Sequence, residues 1–266
     1  MRPQFQPMRR FEGKRVLVSG GGSGIGRATA LRFEEEGARV AICGRRRATL
    51  EETASLGSGR IFVQTMDVAS PDSVQEGMAG VSHELGGIDI LVNNAGIGGP
   101  NACSEEGEDR WSEIIAVNLD GVFLLSRAVL RGSPGEPMGA GGRILNVSSV
   151  LGKFGVPGYT AYCASKHGVI GFTKALALEC AGRGITVNAV CPGWVETSMA
   201  REGMEGIAEA TGEDYQTARA QALAQVPLGR ILEPEEVAGL LAWLASEEAG
   251  GMTGQAINLS GGSAMW

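Results

Sequence analysis

The feature that most constrains the fold is a regular alternation of short apolar runs with helical segments. Helical character is found between the runs, over 27–36, 111–131, 159–180 and 233–244, with a further helix start at Ser70-Pro71-Asp72-Ser73. Because the runs are apolar on both faces, they predict a parallel sheet that is covered on both sides. Right-handed crossovers then give an α/β, doubly wound sheet of the Rossmann type. The apolar runs, rich in β-branched residues, are 15–19, 39–43, 61–66, 88–92, 143–147, 185–190 and 256–259.

Nothing in the composition divides the chain, so residues 1–266 are expected to form a single domain. The alternation of apolar runs and helical segments is interrupted only at 196–225. This segment is long for a connection and holds six acidic and two basic residues. This segment follows the end of a strand, where ligands bind in such sheets. A mobile lid over the substrate is one interpretation, and a solvated insertion is the other.

The charge and the cysteine pattern exclude several classes of protein. The 30 acidic residues outnumber the 23 basic ones, and the net charge of -7 argues against a nucleic-acid binder. With five cysteines in no Cys-x-x-Cys pair and only two histidines, zinc-ligand spacing is absent, so no metal is expected. No apolar run is long enough for a membrane helix, and the basic N-terminus lacks the apolar stretch of a signal peptide. We therefore expect a cytoplasmic protein with reduced thiols and no membrane contact.

A glycine-rich segment joins the first strand to the first helix. Gly20, Gly24 and Gly26 would let the backbone turn tightly and approach a pyrophosphate, which the helix N-terminus then favours. The strand–turn–helix context predicts a dinucleotide site, although a plain tight turn would need similar residues.

The residues after the second and third strands bear on which dinucleotide is bound. An NAD enzyme usually places an acid at the end of the second strand, but here Gly44 is followed by Arg45-Arg46-Arg47. Guanidinium groups suit a 2′-phosphate, so the sequence predicts NADP(H) rather than NAD(H), with Arg45 as the main contact. A solvated basic turn is the alternative. Asp67, at the end of the third strand, is either an adenine contact or a turn residue.

Tyr162 and Lys166 are four residues apart, which places them on one face of a helix. A nearby ammonium is expected to lower the pKa of the phenol and make it a usable acid–base group. Ser149 lies thirteen residues before the tyrosine, just past the fifth strand, where its hydroxyl could hold a substrate carbonyl. Ser148 is the competing hydroxyl.

Taken together, these motifs resemble the short-chain dehydrogenase/reductase family almost from end to end. The shared residues are Gly20, Gly24, Gly26, Asp67, Asn93-Asn94-Ala95-Gly96, Asn118, Ser149, Tyr162, Lys166 and Pro192-Gly193. The resemblance implies a seven-stranded parallel sheet of order 3-2-1-4-5-6-7 with helices on both faces. It also implies an NAD(P)-dependent oxidoreductase that moves a hydride between nicotinamide and a ketone or secondary alcohol.

The resemblance assigns roles to individual residues. Tyr162 would be the acid or base, Lys166 would bind the nicotinamide ribose, Ser149 would orient the carbonyl, and Asn118 would hold a water. Asn93 would lie near the adenosine ribose, and Thr197 near the carboxamide. The residues expected to bind the cofactor are Gly20, Ser23, Gly24, Ile25, Gly26, Arg45, Asp67, Val68, Asn94, Ala95, Gly96, Tyr162, Lys166, Pro192, Gly193, Val195 and Thr197.

Two longer stretches, 165–176 and 185–197, resemble the ketoreductases of aromatic polyketide synthesis and the 3-oxoacyl carrier-protein reductases. This likeness implies a small carbonyl or alcohol substrate, either free or attached to a carrier. The polyketide group often carries Pro-Gly-Gly where this chain has Ile97-Gly98-Gly99-Pro100. An NAD(H)-dependent alcohol dehydrogenase, a non-catalytic dinucleotide-binding regulator, and an isomerase or dehydratase remain alternatives. The family further implies a homotetramer or homodimer, with Met265-Trp266 buried at a subunit contact.

Overall fold

Seven parallel strands form a single sheet in the order β3-β2-β1-β4-β5-β6-β7. The computed structural model describes residues 9–104, 106–132 and 135–265, and Trp266, which was expected at a subunit contact, lies outside them. The predicted sheet order is confirmed. The strands are β1 (Arg15–Ser19), β2 (Arg39–Gly44), β3 (Ile61–Thr65), β4 (Ile90–Asn93), β5 (Arg143–Val147), β6 (Thr186–Pro192) and β7 (Ala256–Leu259).

Helices cover both faces of the sheet. On one face Phe33 of α1 and Leu241 of α9 lie in a core with Val16 and Val18. On the other face Leu17 packs in a second core with side chains from α3, α5 and α6. Neighbouring residues of β1 thus face opposite cores, which is why the strand reads as an unbroken apolar run. The helices are α1 (Gly24–Glu35), α2 (Arg47–Leu56), α3 (Pro71–Leu85), α4 (Trp111–Ile115), α5 (Gly121–Arg131), α6 (Thr160–Ala181), α7 (Ser198–Thr211), α8 (Tyr215–Ala224) and α9 (Pro234–Ala245).

Three segments differ from the sequence prediction. The helix expected over 111–131 is divided into α4 and α5 by a π-helical turn, Ala116–Asp120. The segment 196–225 contains two helices, α7 and α8. Helix α2 was not predicted, because only Leu50 and Thr53 of its ten residues are buried and its apolar periodicity is short.

The described helices include none that is both long and apolar enough to cross a bilayer. The carboxyl ends of β1, β2, β4, β5 and β6 meet at one edge of the sheet, as parallel pairing requires. The glycine loop, the residues after β4 and the turn after β5 all lie at this edge. The fold therefore brings together residues that are more than a hundred positions apart in the chain.

Candidate active site

The glycine loop between β1 and α1 leaves no room for side chains. Gly20 has a φ of +67°, and a Cβ there would lie 2.9 Å from the Ala95 Cα atom. A Cβ at Gly26 would lie 2.1 Å from the carbonyl oxygen of Gly20, and one at Gly24 would lie 2.9 Å from Thr197 Cγ2. The loop is therefore a cradle that only bare backbone can form.

The segment after β4 holds this loop in place. The Asn94 amide nitrogen Nδ2 donates to the carbonyl oxygens of Ser19 (3.0 Å) and Gly20 (3.2 Å). In return, the Ser19 hydroxyl oxygen accepts from the main-chain N–H groups of Asn94 (3.0 Å) and Ala95 (3.1 Å). Asn94 thus fixes the carbonyl groups on either side of the turn. That the Ser19 hydroxyl anchors the backbone after β4 could not be predicted from the sequence.

The N-terminus of α1 is open to a ligand. Ser23 is the N-cap residue, its side chain is exposed, and it makes no capping hydrogen bond. The first N–H groups of a helix carry partial positive charge and have no partner within the helix. Ile25 is half-buried beside them and packs on the core. Thr197, the N-cap of α7, lies over Gly24 and uses its hydroxyl to accept from the Ala200 N–H (3.3 Å).

At the end of β2, two of the three arginines are without an ion-pair partner among the described residues. Arg47 is paired with Glu51, with Nε 2.7 Å from the carboxylate. Arg45 and Arg46 are exposed, and neither is within ion-pair distance of a carboxylate of a described residue. With Gly44 in the place of an acid, this end of the crevice is electropositive.

Asp67 and Val68 follow β3 and are held by local contacts. Asp67 Oδ1 accepts from the Ala69 N–H at 3.0 Å, which is the geometry of a turn aspartate. The Val68 side chain is 5% exposed and packs where α5 begins, since a Cβ at Gly121 would lie 2.8 Å from Val68 Cγ2. The Val68 side chain is therefore not available to a ligand.

Tyr162 and Lys166 lie one turn apart on α6 and face the same crevice. The Lys166 ammonium Nζ is 5.6 Å from the centre of the Tyr162 ring and donates to the Val147 carbonyl at 3.0 Å. Lys166 is 4% exposed, so its charged group is almost fully removed from water. Ser149 lies within hydrogen-bonding reach of the Tyr162 phenol.

The electrostatics of this pair differ from the prediction. Burial raises the pKa of Tyr162 to about 12, although its contact with Ser149 acts in the opposite direction. Burial lowers the pKa of Lys166 to about 8. The predicted lowering of the phenol pKa is therefore wrong for the chain by itself, because burial disfavours the charged phenolate and the contact with Ser149 offsets only part of this effect. At neutral pH the phenol carries its proton, as a proton donor must.

The two serines after β5 have different surroundings. The Ser148 hydroxyl donates to the Lys166 carbonyl at 2.9 Å and so packs against the backbone of α6. Ser149 caps a short 3-10 turn, Val150–Gly152, with its oxygen accepting from the Leu151 N–H at 3.1 Å. Ser149, not Ser148, is therefore the hydroxyl beside the phenol.

Asn118 lies in the π-helical turn and is fully buried. Its Oδ1 accepts from the Ile97 N–H at 2.9 Å, and its Nδ2 donates to the Ile97 carbonyl at 3.0 Å and to Ser165 Oγ at 3.1 Å. A water held by Asn118 would need its main-chain atoms or the second lone pair of Oδ1. A Cβ at Gly96 would lie 3.3 Å from Asn118 Oδ1 and 3.5 Å from Lys166 Nζ, so Gly96 lies between them.

Asn93 does not reach the crevice. Its side chain is 2% exposed, and Nδ2 donates to Ser126 Oγ (3.1 Å) and to Asn146 Oδ1 (2.9 Å) inside the second core. Asn146 in turn donates to Thr173 on α6 at 2.9 Å. The Asn93 side chain is therefore not available to an adenosine ribose, and a position near the ribose through the main chain at the end of β4 stays a prediction.

The residues after β6 form the far wall of the crevice. Pro192 ends the strand, and the Gly193 N–H donates to the Leu259 carbonyl of β7 at 2.9 Å. The Val195 side chain is 5% exposed, and this residue bridges to Leu232. These contacts lead the chain from the sheet into α7.

Gly98 lies beside both the start of α7 and the Tyr162 ring. A Cβ at Gly98 would lie 3.4 Å from Met199 Cγ and 3.9 Å from Tyr162 Cε2. Met199 and Tyr162 are therefore both neighbours of Gly98. The sequence analysis did not identify Met199 as a residue of the site. Its position two residues after Thr197 was the only available signal.

Among the described residues, no group of three or more His, Cys, Asp or Glu side chains could hold a metal ion. His167 is on the exposed side of α6, where Nδ1 contacts the Cys163 carbonyl at 2.9 Å. The reactive groups of the crevice are thus a phenol, an amine and a hydroxyl. Such a set can hold a carbonyl oxygen and give it a proton.

Comparison with known proteins places this chain among reductases of the same length. A family model described as enoyl-(acyl carrier protein) reductase matches residues 20–264. The 3-oxoacyl-[acyl-carrier-protein] reductase FabG of Vibrio cholerae is 41% identical over 263 residues, which cover 96% of this chain and 99% of that protein. A putative ketoacyl reductase of Streptomyces coelicolor is 43% identical over 254 residues, covering 93% and 95%.

Solved structures agree with the sequence matches. A variant of actinorhodin polyketide ketoreductase, crystallised with NADPH, superposes with a TM-score of 0.89 at 40% identity, over 95% of this chain and 98% of that chain. Levodione reductase superposes with a TM-score of 0.87 at 30% identity, over 97% of this chain and 100% of that chain. On this evidence the chain belongs to the short-chain dehydrogenase/reductase family.

Proposed function

We propose that this protein is an NADP(H)-dependent oxidoreductase that reduces a ketone to a secondary alcohol, or catalyses the reverse reaction. The observation that carries the proposal is the placement of Ser149, Tyr162 and Lys166 around one crevice that begins at the glycine loop. Relatives named as 3-oxoacyl-carrier-protein reductase and ketoacyl reductase, and a solved relative with NADPH, support it.

The residues of the crevice fit a dinucleotide. The loop at Gly20, Gly24 and Gly26 would receive the pyrophosphate, with Ser23 and the orphan N–H groups of α1 as donors. Arg45 would meet the 2′-phosphate, and Asp67 and Val68 would border the adenine. Asn94, Ala95 and Gly96 would line the middle, and Pro192, Gly193, Val195 and Thr197 the nicotinamide end. When bound, the nicotinamide supplies the hydride.

The protein's own groups handle the proton and the orientation of the substrate. Ser149 holds the carbonyl oxygen, and Tyr162, which is protonated at neutral pH, gives its proton to that oxygen as negative charge develops there. The Lys166 ammonium stabilises the phenolate that remains and would bind the nicotinamide ribose. Asn118 fixes the loop at Ile97 and keeps Gly96 between itself and the amine.

Initial rates with NADPH and NADH test the cofactor assignment. A charge-assisted hydrogen bond to a phosphate is worth about 1.5–3 kcal/mol, so Arg45→Ala should raise the KM for NADPH by about tenfold or more. Its KM for NADH should stay the same. Arg47→Ala is the matched control, because Arg47 is already paired with Glu51. Equal KM values for the two cofactors in the wild-type protein would instead favour the NAD(H)-dependent alternative.

Consumption of NADPH with a panel of free ketones and a carrier-bound 3-oxoacyl thioester tests the reaction. Reduction of any of them supports an enzyme, and binding of NADPH without turnover of any would favour a non-catalytic regulator. The relatives' names support a carrier-bound substrate, and the panel separates this from a free ketone.

A homotetramer or homodimer is the expected assembly. Leu178 on α6 is 82% exposed and Phe123 on α5 is 44% exposed, and a subunit contact on these helices would remove both side chains from water. Met265 is 77% exposed. Light scattering of the full chain, of Leu178→Glu and of a chain ending at Ser263 tests the two contacts. All five cysteines are free, which supports a reducing compartment such as the cytoplasm.

A further inference from the structure

The loop that passes over Tyr162 is held by a cation that the reaction itself does not use. The loop runs from Gly96 to Asn101, and its Gly98 lies beside both the Tyr162 ring and Met199. Two neighbouring glycines, Gly98 and Gly99, lie in its middle, so this part of the loop has little intrinsic preference for one backbone shape. Its position must come from the contacts that it makes.

Both ends of the loop are fastened to catalytic elements. At one end, Asn118 makes two hydrogen bonds with the backbone of Ile97. At the other end, the Asn101 N–H donates to the Gly158 carbonyl at 2.7 Å, and the Asn101 carbonyl accepts from the Thr160 hydroxyl at the start of α6. The ends are thus set relative to α6, which carries the phenol.

Arg110 holds the middle. Its Nη1 donates to the Gly98 carbonyl at 3.0 Å, while Nε and Nη2 reach Glu113 Oε2 at 3.1 and 3.0 Å. Its main-chain N–H also donates to Asn101 Oδ1 at 2.5 Å. The side chain is 24% exposed, so these bonds are partly shielded from water and salt.

The backbone of the loop is shaped around this guanidinium. Gly99 has a φ of +120°, and a Cβ there would lie 2.4 Å from Arg110 Nη1. Any other residue at 99 would therefore displace the cation from the Gly98 carbonyl. The contact between Arg110 and the Gly98 carbonyl therefore requires a glycine at position 99.

We propose that Arg110 is a positioning residue that sets the width of the gap between Gly98 and Met199, and thereby the size of ketone that reaches Tyr162. The part of this proposal that concerns the substrate rests on the proposed function. The hold of Arg110 on the Gly98 carbonyl, which we call the clamp, is a property of the chain itself. With Arg110 in place, the gap is narrow and bulky ketones are disfavoured. Without it, the loop can move away from Met199, and small ketones are held less firmly.

The experiment compares Arg110→Met with the wild-type protein on a small and a bulky ketone. Loss of one hydrogen bond from a charged donor predicts that the ratio of kcat/KM, small over bulky, falls by about tenfold. The Kd of NADPH should be unchanged. Arg110→Lys keeps a single donor to the Gly98 carbonyl and should restore part of the ratio. Arg39→Met is the matched control, because Arg39 also bonds one carbonyl and one carboxylate, those of Glu84, at the opposite edge of the sheet.

Hydrogen exchange separates this proposal from the proposed function. The amides of 97–99 and 101 should exchange faster in Arg110→Met than in the wild-type protein, whether or not a ketone is reduced. Unchanged exchange, or an unchanged selectivity ratio in an active enzyme, would overturn the clamp. Faster exchange in a protein that reduces no ketone would leave the clamp standing and refute the proposed reaction.

Discussion

Replacing the buried lysine by methionine should make the protein more stable at neutral pH while removing its activity. Lys166 is 4% exposed, and burial lowers its pKa from 10.5 to about 8. This lowering corresponds to about 3 kcal/mol by which folding disfavours the protonated amine. Lys166→Met removes that cost and loses the hydrogen bond to the Val147 carbonyl, worth about 1 kcal/mol. The expected net gain at pH 7 is about 2 kcal/mol.

The sign of the effect depends on pH. Below pH 8 the amine is protonated in both the folded and the unfolded chain, so the wild-type protein bears the full cost. Between about pH 8 and 10.5 the unfolded chain binds more protons, and the stability of the wild-type protein rises. Above 10.5 the cost is gone and only the lost hydrogen bond remains. There Lys166→Met should be less stable than the wild-type protein by about 1 kcal/mol.

Urea unfolding of the apoprotein, at pH 7, 8.5 and 10.5 and at one protein concentration, measures the difference. Other titrating groups cancel, because they are common to the two proteins. The difference in the free energy of unfolding should shrink and then change sign as the pH rises. A difference that does not vary with pH, or a variant that is less stable at pH 7, would refute the assignment of Lys166 as a buried amine held at a cost.

Three further variants and one control test the loop and the two serines. Gly26→Ala should lower both the stability and the affinity for NADPH, since its Cβ would lie 2.1 Å from the Gly20 carbonyl oxygen. The control is Gly239→Ala in α9, where open space surrounds the added Cβ, and it should stabilise the protein by about 1 kcal/mol. Thermal unfolding measures both stabilities. Equal Tm values for the two variants would contradict the packing of the loop. Ser149→Ala should lower kcat by about a hundredfold, whereas Ser148→Ala should keep most of kcat. Each variant should lose about 1 kcal/mol of stability, because the Ser149 oxygen caps the turn at Leu151 and the Ser148 hydroxyl bonds the backbone of α6. The opposite pattern of steady-state rates would mean that the roles are exchanged.

The sheet could be predicted because its strands are apolar on both faces, and this pattern depends on burial alone. The strand order was implied by the family resemblance and is confirmed by the model. Helix α2 could not be predicted, because a half-exposed helix of ten residues has little apolar periodicity to detect. The π-helical turn at Asn118 depends on contacts with Ile97 and Ser165, which are far apart in the chain.

The site was predicted as a set of residues, but the direction of individual side chains was not. Asn93 and Asn94 are neighbours of the same type, yet one points into the core and the other braces the glycine loop. The choice follows from the alternation of side chains along β4 and from the register with β5. The pKa of Tyr162 also went against the sequence argument, because burial is a property of the whole fold and not of the spacing to Lys166.

The most direct test of the account is the turnover of Tyr162→Phe beside its affinity for NADPH. The substitution removes only the hydroxyl that donates the proton and leaves the ring beside Gly98. The account predicts that ketone reduction falls by about a hundredfold or more, while the NADPH dissociation constant, followed by the fluorescence of the bound cofactor, stays within about threefold. Turnover at the wild-type rate in this variant would contradict the central claim.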